Sequence, residues 1–429
     1  MTVDYTAMWQ DLGLDLAAHE GLLTVLGAAY DEVYLSQQNR PEGMSYFDFC
    51  VSEIHGLRVK ELMDAKAAGR KVVGSFCLYV PEEIILAANG IAVGLCSGAD
   101  MGSAHSGRLL PKNTCAMIRS FVDFKLAKVC PYMEASDLVI GETTCDGKKK
   151  AYEIFGELHN TFVLEVPHTK SEAARVLWRS ELDRLVARVE DLSGVAITAE
   201  GLAEGIRIAN AKRAALQRLA RLRAASPAPL SGRDALLINQ IQFYDDPTRF
   251  TGSLNALCDE LDERVQRGEG VAPAGTPRVL VSGCPMSAPN WKIPFLLERS
   301  GGVIVGEESC VGERGTRNLV PEVDGSRERL LDAIAERYLK IDCAVFTPNE
   351  ERIDHVVAMA RDLNADGVLH YVIQFCTPYA TEAYRVDEAL RAEGLPLLKL
   401  ETDYSMEDTG ALETRIQAFL EMLRAKRGE

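Results

Sequence analysis

The sequence predicts an α/β protein with two parallel-sheet domains, and three observations support this fold class. Short apolar runs typical of buried strands alternate with helical periodicity from Lys71 onward. A Gly- and Pro-rich linker at residues 268–277 separates this alternation from a second one. Several strands in both halves end in a cysteine. Two similar domains are therefore expected to direct their strand ends into one cleft.

Composition limits the class of protein further. A chain of 429 residues is longer than one ordinary hydrophobic core requires, so more than one domain is expected. The net charge of −16 argues against nucleic acid and against an anionic membrane surface as partners. Because no apolar run approaches the length of a membrane span and no signal peptide is visible, the sequence predicts a cytoplasmic protein.

Changes in periodicity divide the chain into four predicted segments. These are an N-terminal helical segment (residues 1–70), a first α/β domain (71–170), a helical connecting segment (171–267) and a second α/β domain (278–429). In the connecting segment, Trp178, Leu182, Leu185 and Val189 form one apolar stripe at helical spacing. Thr198 is the predicted N-cap of the helix that follows.

Four strands are predicted in each α/β domain. Those of the first domain lie within residues 71–77, 90–96, 138–140 and 161–166. Those of the second domain lie within residues 278–284, 302–310, 367–376 and 397–404. The order of the strands and the cysteines near their ends recur between the domains, although the spacings drift. Cysteines at strand ends in both domains are expected to meet at the cleft.

The cysteine spacing excludes several common metal sites. Eleven cysteines are present without any C-x-x-C pair, which argues against zinc ribbons and against local ferredoxin-type cluster motifs. His370 lies in a predicted strand, and a core histidine is the favoured interpretation. Thiols dispersed over two domains suit a larger cluster that takes ligands from both sides of a cleft.

The segment 141–150, GETTCDGKKK, joins a predicted strand to a predicted helix. It is not a P-loop, because five residues separate its glycines and no Ser or Thr follows the lysine. The three lysines are expected to be a solvated helix start, with attraction of an anionic substrate or an acidic partner as the alternative. Glu142, Asp146 and Glu308 are candidates for contacts near a cluster, but solvated loop carboxylates are the favoured interpretation.

These motifs resemble the 2-hydroxyacyl-CoA dehydratase/benzoyl-CoA reductase superfamily. The resemblance extends over residues 72–423 and is carried by segments 77–85, 110–115, 130–132, 141–150, 374–376 and 401–405. Segments 130–132 (CPY) and 282–285 (SGCP) look most like the double-cubane cluster proteins of that superfamily. The resemblance implies two flavodoxin-like (Rossmann-like) domains with an iron–sulfur cluster in the cleft between them.

The resemblance also implies a set of cluster ligands. The dehydratase pattern places three ligands of a [4Fe-4S] cluster at Cys115, Cys145 and Cys376. A double-cubane [8Fe-9S] cluster takes a second trio, which is expected at Cys284, Cys310 and Cys343. The first alternative ligand is Cys96 and the second is Cys77. The remaining three cysteines are not expected to be ligands: Cys50, Cys130 and Cys258.

The function implied by the resemblance is that of an iron–sulfur reductase acting on a small molecule. A separate ATP-hydrolysing iron–sulfur activator would supply low-potential electrons, and the double-cubane chain would form a homodimer. Two alternatives remain open. One is a 2-hydroxyacyl-CoA dehydratase subunit that performs radical dehydration with a single [4Fe-4S] cluster, and the other is a cluster carrier or redox relay without a substrate.

Overall fold

The computed structural model describes residues 4–95, 97–101, 105–323 and 325–428. Within these residues it contains eight β-strands, all in the regions predicted from the sequence. They are β1 Val72–Ser75, β2 Ile91–Gly94, β3 Leu138–Glu142, β4 Thr161–Leu164, β5 Arg278–Gly283, β6 Val303–Glu308, β7 Gly367–Ile373 and β8 Leu397–Thr402.

Helices surround and connect these strands. Those that precede β5 are α1 Thr6–Asp11, α2 Leu16–Tyr30, α3 Met44–Ser52, α4 Leu57–Ala67, α5 Glu82–Ala87, α6 Ala116–Leu126, α7 Pro131–Ala135, α8 Asp146–Leu158, α9 Glu172–Ser193, α10 Ala199–Leu222, α11 Gly232–Ile241 and α12 Pro247–Arg267. Those that follow are α13 Lys292–Arg299, α14 Arg327–Leu339, α15 Glu350–Asp362, α16 Thr377–Ala392 and α17 Thr409–Arg427.

The strands form two four-stranded sheets with matching topology. One has the order β2-β1-β3-β4 and the other β6-β5-β7-β8, and all pairings are parallel. Strands β3, β5, β6 and β7 are buried along their whole length, as expected for parallel strands with both faces covered. The predicted α/β class with two flavodoxin-like sheets is confirmed.

The helical segments pack closely on the sheets. Helix α10 contacts α5 and α12, and α11 contacts β6 of the second sheet. The predicted apolar stripe of α9, from Trp178 to Val189, is buried, and Thr198 caps α10 by accepting from the Gly201 amide at 3.1 Å. In the part of the chain that the structure describes, no helix is long and apolar enough to cross a membrane. The four-segment division given above stays a prediction.

A buried histidine in α2 predicts that stability depends on pH. His19 is fully buried, stacks on His55 with ring centroids 5.0 Å apart, and has Nδ1 2.8 Å from the Val129 carbonyl oxygen. Burial and the neighbouring His55 lower the His19 pKa to about 4. Between pH 6.5 and 4 the unfolded chain therefore binds more protons at this residue, so the free energy of unfolding falls as the pH falls.

We expect acidification from pH 7 to 4.5 to cost about 2–3 kcal/mol through His19. The measurement is urea unfolding at both pH values for the natural protein and for His19→Phe, which keeps a ring but cannot take up a proton. The variant should lose less stability on acidification, whereas exposed His105→Gln should behave like the natural protein. Equal losses in the natural protein and His19→Phe would contradict this prediction.

Candidate functional site

A cavity of about 200 Å³ lies between the carboxyl ends of the two sheets. Its walls include residues that follow β1, β3, β5, β6 and β7. This is where parallel α/β sheets place ligands. Among the described residues, seven cysteines from the two sheet domains line this cavity: Cys77, Cys115, Cys145, Cys284, Cys310, Cys343 and Cys376.

Three of these cysteines are the N-cap residues of helices. Cys145 follows β3 and caps α8, where the Lys148 amide donates to its sulfur at 3.4 Å. Cys115 and Cys376 occupy the N-cap positions of α6 and α16, without a capping hydrogen bond to the sulfur. Helix N-termini carry partial positive charge and free amide donors, both of which favour a thiolate. The fold thus directs three potential anionic donors towards one part of the cavity.

Cys284 lies beside Cys376, on the side of β5 that faces β7. The Ile373 amide of β7 donates to the Cys284 sulfur at 3.3 Å, and the Cys376 and Cys284 thiols interact. Gly283, the preceding residue, has φ of +122°, and a Cβ there would lie 2.1 Å from the Tyr371 carbonyl oxygen. Only glycine permits this close approach of β5 to β7. The approach in turn sets the position of Cys284.

The other three thiols form a second group. Burial raises the pKa of Cys77, with Cys310 and Cys343 adding to the effect, and burial and Cys310 raise the pKa of Cys343, which indicates that the three thiols are neighbours. Arg314 donates to the Cys310 sulfur at 3.4 Å, and the Tyr379 hydroxyl lies 3.8 Å from the Cys343 sulfur. This group combines one thiol of the first domain with two of the second.

The observed grouping differs from the grouping expected from the sequence. Cys284 was expected to join Cys310 and Cys343, but it lies beside Cys376, and Cys77 takes its place in the second group. Strand order alone does not decide this, because β5 pairs with both β6 and β7; the hydrogen bond from the Ile373 amide holds the Cys284 sulfur on the β7 side. The alternative ligand Cys96 lies outside the described residues.

Burial raises the pKa of several cavity thiols. It raises the pKa of Cys77 to about 11 and also raises the pKa values of Cys145 and Cys343. The pKa of Cys115 lies well above its usual range because of its hydrogen bond with Cys376, with burial adding to the effect. Such thiols are neutral at pH 7, so a bound cation that stabilises thiolates would release protons.

Charged side chains form part of the cavity wall. Lys212 pairs with Glu82 at 2.5 Å and Arg213 with Glu83 at 2.6 Å. Arg337 also lines the cavity and donates to backbone carbonyls, and burial together with the charge of Arg213 lowers its pKa to about 10. With three cations and two carboxylates, this part of the wall carries net positive charge, which favours an anionic group in the cavity.

Glu142 and Glu308 were expected to be solvated loop carboxylates, but both are buried. The prediction was wrong for these two residues. Glu142 pairs with Lys148 and accepts from the Tyr152 hydroxyl at 3.1 Å, and Glu308 lies in a buried ion-pair network. Asp146 is exposed, as predicted. Lys148 was expected to be solvated but is buried and lines the cavity, because Glu142 offsets its charge.

The cysteines outside the predicted ligand set lie elsewhere. Cys50 and Cys258 were both expected to be core residues; Cys258 is buried in α12, whereas Cys50 of α3 is only half-buried and borders a separate small pocket. Cys130 caps α7 at the amino end of β3, away from the cavity wall. His370 is buried, as predicted, with Nε2 3.2 Å from the Tyr379 carbonyl oxygen.

Two residues near the second group of thiols were missed in the sequence. Arg314 follows Cys310 by four positions in a short 3₁₀ turn, and Tyr379 follows Cys376 by three positions in the first turn of α16. These short spacings were visible as a signal. The contacts of Arg314 and Tyr379 with sulfur could not be predicted from the sequence, because the turn after Cys310 has no periodicity of its own.

The donor set of the cavity fits an iron–sulfur cluster. Among the residues that the structure describes, no three His, Cys, Asp or Glu side chains are close enough to bind one metal ion together. In a cluster, each thiolate binds a different iron atom, so the sulfur ligands lie farther apart than around a single ion. Seven cavity thiols with nearby amide and guanidinium donors provide ligands and hydrogen bonds of the kind that such clusters use.

Comparison with protein families gives one match that spans most of the chain. The model described as 2-hydroxyglutaryl-CoA dehydratase, D-component, matches residues 77–423. The matched range contains all seven cavity cysteines and seven of the eight described strands, since it begins just after β1 ends.

Curated proteins are similar over nearly the same range. A candidate dehydratase subunit named YjiM, of Escherichia coli (strain K12), is 36% identical over 84% of this chain and 94% of its own length. The (R)-phenyllactyl-CoA dehydratase beta subunit of Clostridium sporogenes is 26% identical over 83% of this chain and 92% of its own length. One of the subunits of the benzoyl-CoA reductase of Thauera aromatica is 23% identical over 73% of this chain and 80% of its own length.

Proposed function

Because the chain belongs to the 2-hydroxyglutaryl-CoA dehydratase D-component family, we propose that it is a double-cubane iron–sulfur reductase of small molecules. Membership of the 2-hydroxyacyl-CoA dehydratase/benzoyl-CoA reductase superfamily, first indicated by its motifs, is confirmed. The chain is accordingly an enzyme of the oxidoreductase or lyase type. The finer assignment to a reductase is the proposal argued below.

The observation that carries the proposal is the number of thiols in one cavity. A cubane with three protein ligands leaves four of the seven cavity cysteines without a role, whereas two linked cubanes use six. We propose Cys115, Cys145 and Cys376 as the first ligand set, in agreement with the motif resemblance. For the second set, the thiol grouping supports Cys310 and Cys343 together with Cys77 in place of Cys284.

The protein residues would hold and shield the cluster. When bound, it would supply low-potential electrons for reduction of a small molecule. The helix N-termini at Cys115, Cys145 and Cys376 would stabilise their thiolates, and the positive wall at Arg337 would offset negative charge. Cys284 would remain beside the first set, where it can contact a ligand sulfur without binding iron.

We further propose that a separate ATP-hydrolysing iron–sulfur activator supplies the electrons. The absence of a G-x-x-x-x-G-K-[ST] motif from the sequence agrees with ATP hydrolysis on another protein. A homodimer is proposed from the resemblance to double-cubane proteins. A cytoplasmic location is proposed because the described cysteines are free thiols, as is usual in a reducing compartment.

A second candidate function is favoured by the names of the relatives. One is named (R)-phenyllactyl-CoA dehydratase beta subunit, which suggests a 2-hydroxyacyl-CoA dehydratase subunit with a single [4Fe-4S] cluster. Such a subunit would bind its cluster through Cys115, Cys145 and Cys376 alone and would need a different second subunit. A cluster carrier or redox relay is a third candidate and would have no substrate of its own.

We expect anaerobically purified protein to contain about eight irons per chain, with a similar amount of acid-labile sulfide. Iron and sulfide analysis gives these counts. With a reductant, ATP and the activator, the loaded protein should then reduce a small molecule.

About four irons per chain together with dehydration of a 2-hydroxyacyl-CoA would contradict the proposal in favour of the dehydratase. Transfer of the cluster to an apo-acceptor, without activator-dependent turnover, would instead identify a carrier. Protein without the activator is the control for turnover.

A further inference from the structure

A buried guanidinium lies directly beside the second group of thiols. The Arg314 side chain is fully buried, its Nη1 donates to the Cys310 sulfur at 3.4 Å, and its Nε pairs with Glu308 at 2.8 Å. The same Nη1 also donates to the Tyr379 hydroxyl. One cation is thus held between a sulfur atom and a phenol at a site with little access to water, where its charge acts with little screening.

Tyr379 extends this arrangement to a second sulfur. A guanidinium has no acceptor, so in the contact with Arg314 the phenol oxygen accepts. The phenol proton is then free to be donated to the Cys343 sulfur, 3.8 Å away. The guanidinium and the phenol together reach two of the three thiols in this group.

A network of buried charges fixes the orientation of both residues. Glu308 accepts from Arg314 with one oxygen and from Arg352 with the other, at 2.8 and 2.9 Å. The guanidinium carbons of Arg314 and Arg352 lie 5.2 and 5.1 Å from the centroid of the Tyr379 ring. Arg352 also pairs with Glu382, so each cation of the network has a carboxylate partner. Such a network holds its donors in place at little further entropic cost.

The first group of thiols has a different environment. Apart from contacts between its own thiols, its hydrogen bonds to sulfur come from main-chain amides, such as Lys148 to Cys145 and Ile373 to Cys284. An amide carries only partial charge, whereas a buried guanidinium carries a full one. The two halves of the site therefore differ in the electrostatic stabilisation that they offer to added negative charge.

We infer that Arg314 and Tyr379 are positioning residues that donate to the sulfurs of Cys310 and Cys343 and raise the reduction potential of that half of the cluster. This inference rests on the proposed function. A positive charge and hydrogen bonds to sulfur stabilise the more negative, reduced state more than the oxidised state. The cubane at the second group would then be the easier of the two to reduce.

The test compares cluster midpoint potentials in a redox titration followed by EPR spectroscopy. Tyr379→Phe removes one hydroxyl and keeps the ring, and Arg314→Gln removes the charge. Each should lower the equilibrium constant for one-electron reduction about tenfold, which is a fall of about 59 mV. Arg314→Lys, which keeps the charge, should recover most of the potential. Tyr384→Phe is the matched control, because Tyr384 is exposed on the same helix.

Iron content separates the possible outcomes. The inference would be overturned if Tyr379→Phe and Arg314→Gln both keep their full iron content and each changes the equilibrium constant for one-electron reduction by less than about twofold. Loss of iron in Tyr379→Phe would also overturn it, since the residue would then support the fold of the site and not its potential. If Arg314→Gln does not fold, Tyr379→Phe decides alone. Natural protein without iron would overturn the proposed function itself and this inference with it.

Discussion

Replacement of Cys77 by serine is expected to remove about half of the iron from the anaerobically purified protein. Cys77 is the first-domain member of the thiol group that contains Cys310 and Cys343. A serine hydroxyl is a hard, weakly acidic donor that replaces a thiolate poorly at iron–sulfur clusters. Loss of this ligand should release one cubane and leave the one held by the first ligand set. Iron and sulfide analysis, with EPR of the reduced protein, measures the loss.

The matched comparison is Cys284→Ser, which changes a thiol in the same cavity. It should retain nearly all of the iron, and so should Cys50→Ser, which lies in a separate pocket. Full iron in Cys77→Ser together with half the iron in Cys284→Ser would contradict the revised assignment. That result would restore the set expected from the sequence, with Cys284, Cys310 and Cys343 as the second trio.

Replacement of Arg223 by methionine is expected to destabilise the protein by about 3–5 kcal/mol. Arg223 lies at the end of α10, and its guanidinium pairs with both carboxylate oxygens of Glu307 at 2.5 and 2.7 Å. Both side chains are almost completely buried. Removing one partner leaves the Glu307 charge buried without compensation, which is the costly way to break such a pair. Urea unfolding followed by far-UV circular dichroism measures the effect.

Two further variants make this prediction specific. Arg223→Met combined with Glu307→Leu removes both charges and should recover most of the lost stability. Arg207→Met removes an exposed arginine paired with Glu204 on the same helix and should cost less than about 1 kcal/mol. Equal losses from Arg223→Met and Arg207→Met would show that burial of the pair contributes nothing.

Much of the fold could be predicted because its signals are local. A strand such as β3 is a continuous apolar run, and its burial on both faces follows from that pattern. Thr198 was recognised as a cap because capping depends on a side chain and the amides two or three residues later. The recurrence of strand order also predicted that cysteines of both domains would meet in one cleft.

The grouping of those cysteines could not be predicted, because it depends on how the domains face each other. The Ala116 amide donates to the Gln374 carbonyl at 3.4 Å, and the Gly94 amide donates to the Phe243 carbonyl at 2.7 Å. These contacts join residues far apart in the sequence, and no periodicity encodes them. The grouping of the thiols depends on such long-range contacts, for which the sequence has no local signal.

The burial of charged residues was misjudged for a related reason. Glu308 resembles a solvated carboxylate when only its neighbours in the sequence are considered. Its partner Arg352 comes from α15, and the charges of Arg314 and Arg352 hold the Glu308 pKa at about 2 although burial opposes this. A carboxylate becomes tolerable in the interior only through partners that the fold brings to it.

The distribution of the thiols over two domains has a consequence for maturation. Under the proposed assignment, each ligand set takes cysteines from both sides of the cavity. The first set has two from the first domain and one from the second, and the second set has one from the first domain and two from the second. Neither domain could then bind a complete cubane before the two come together. Insertion of iron and sulfide would therefore follow the folding of both sheets, and the inserted cluster would act as an inorganic crosslink between them.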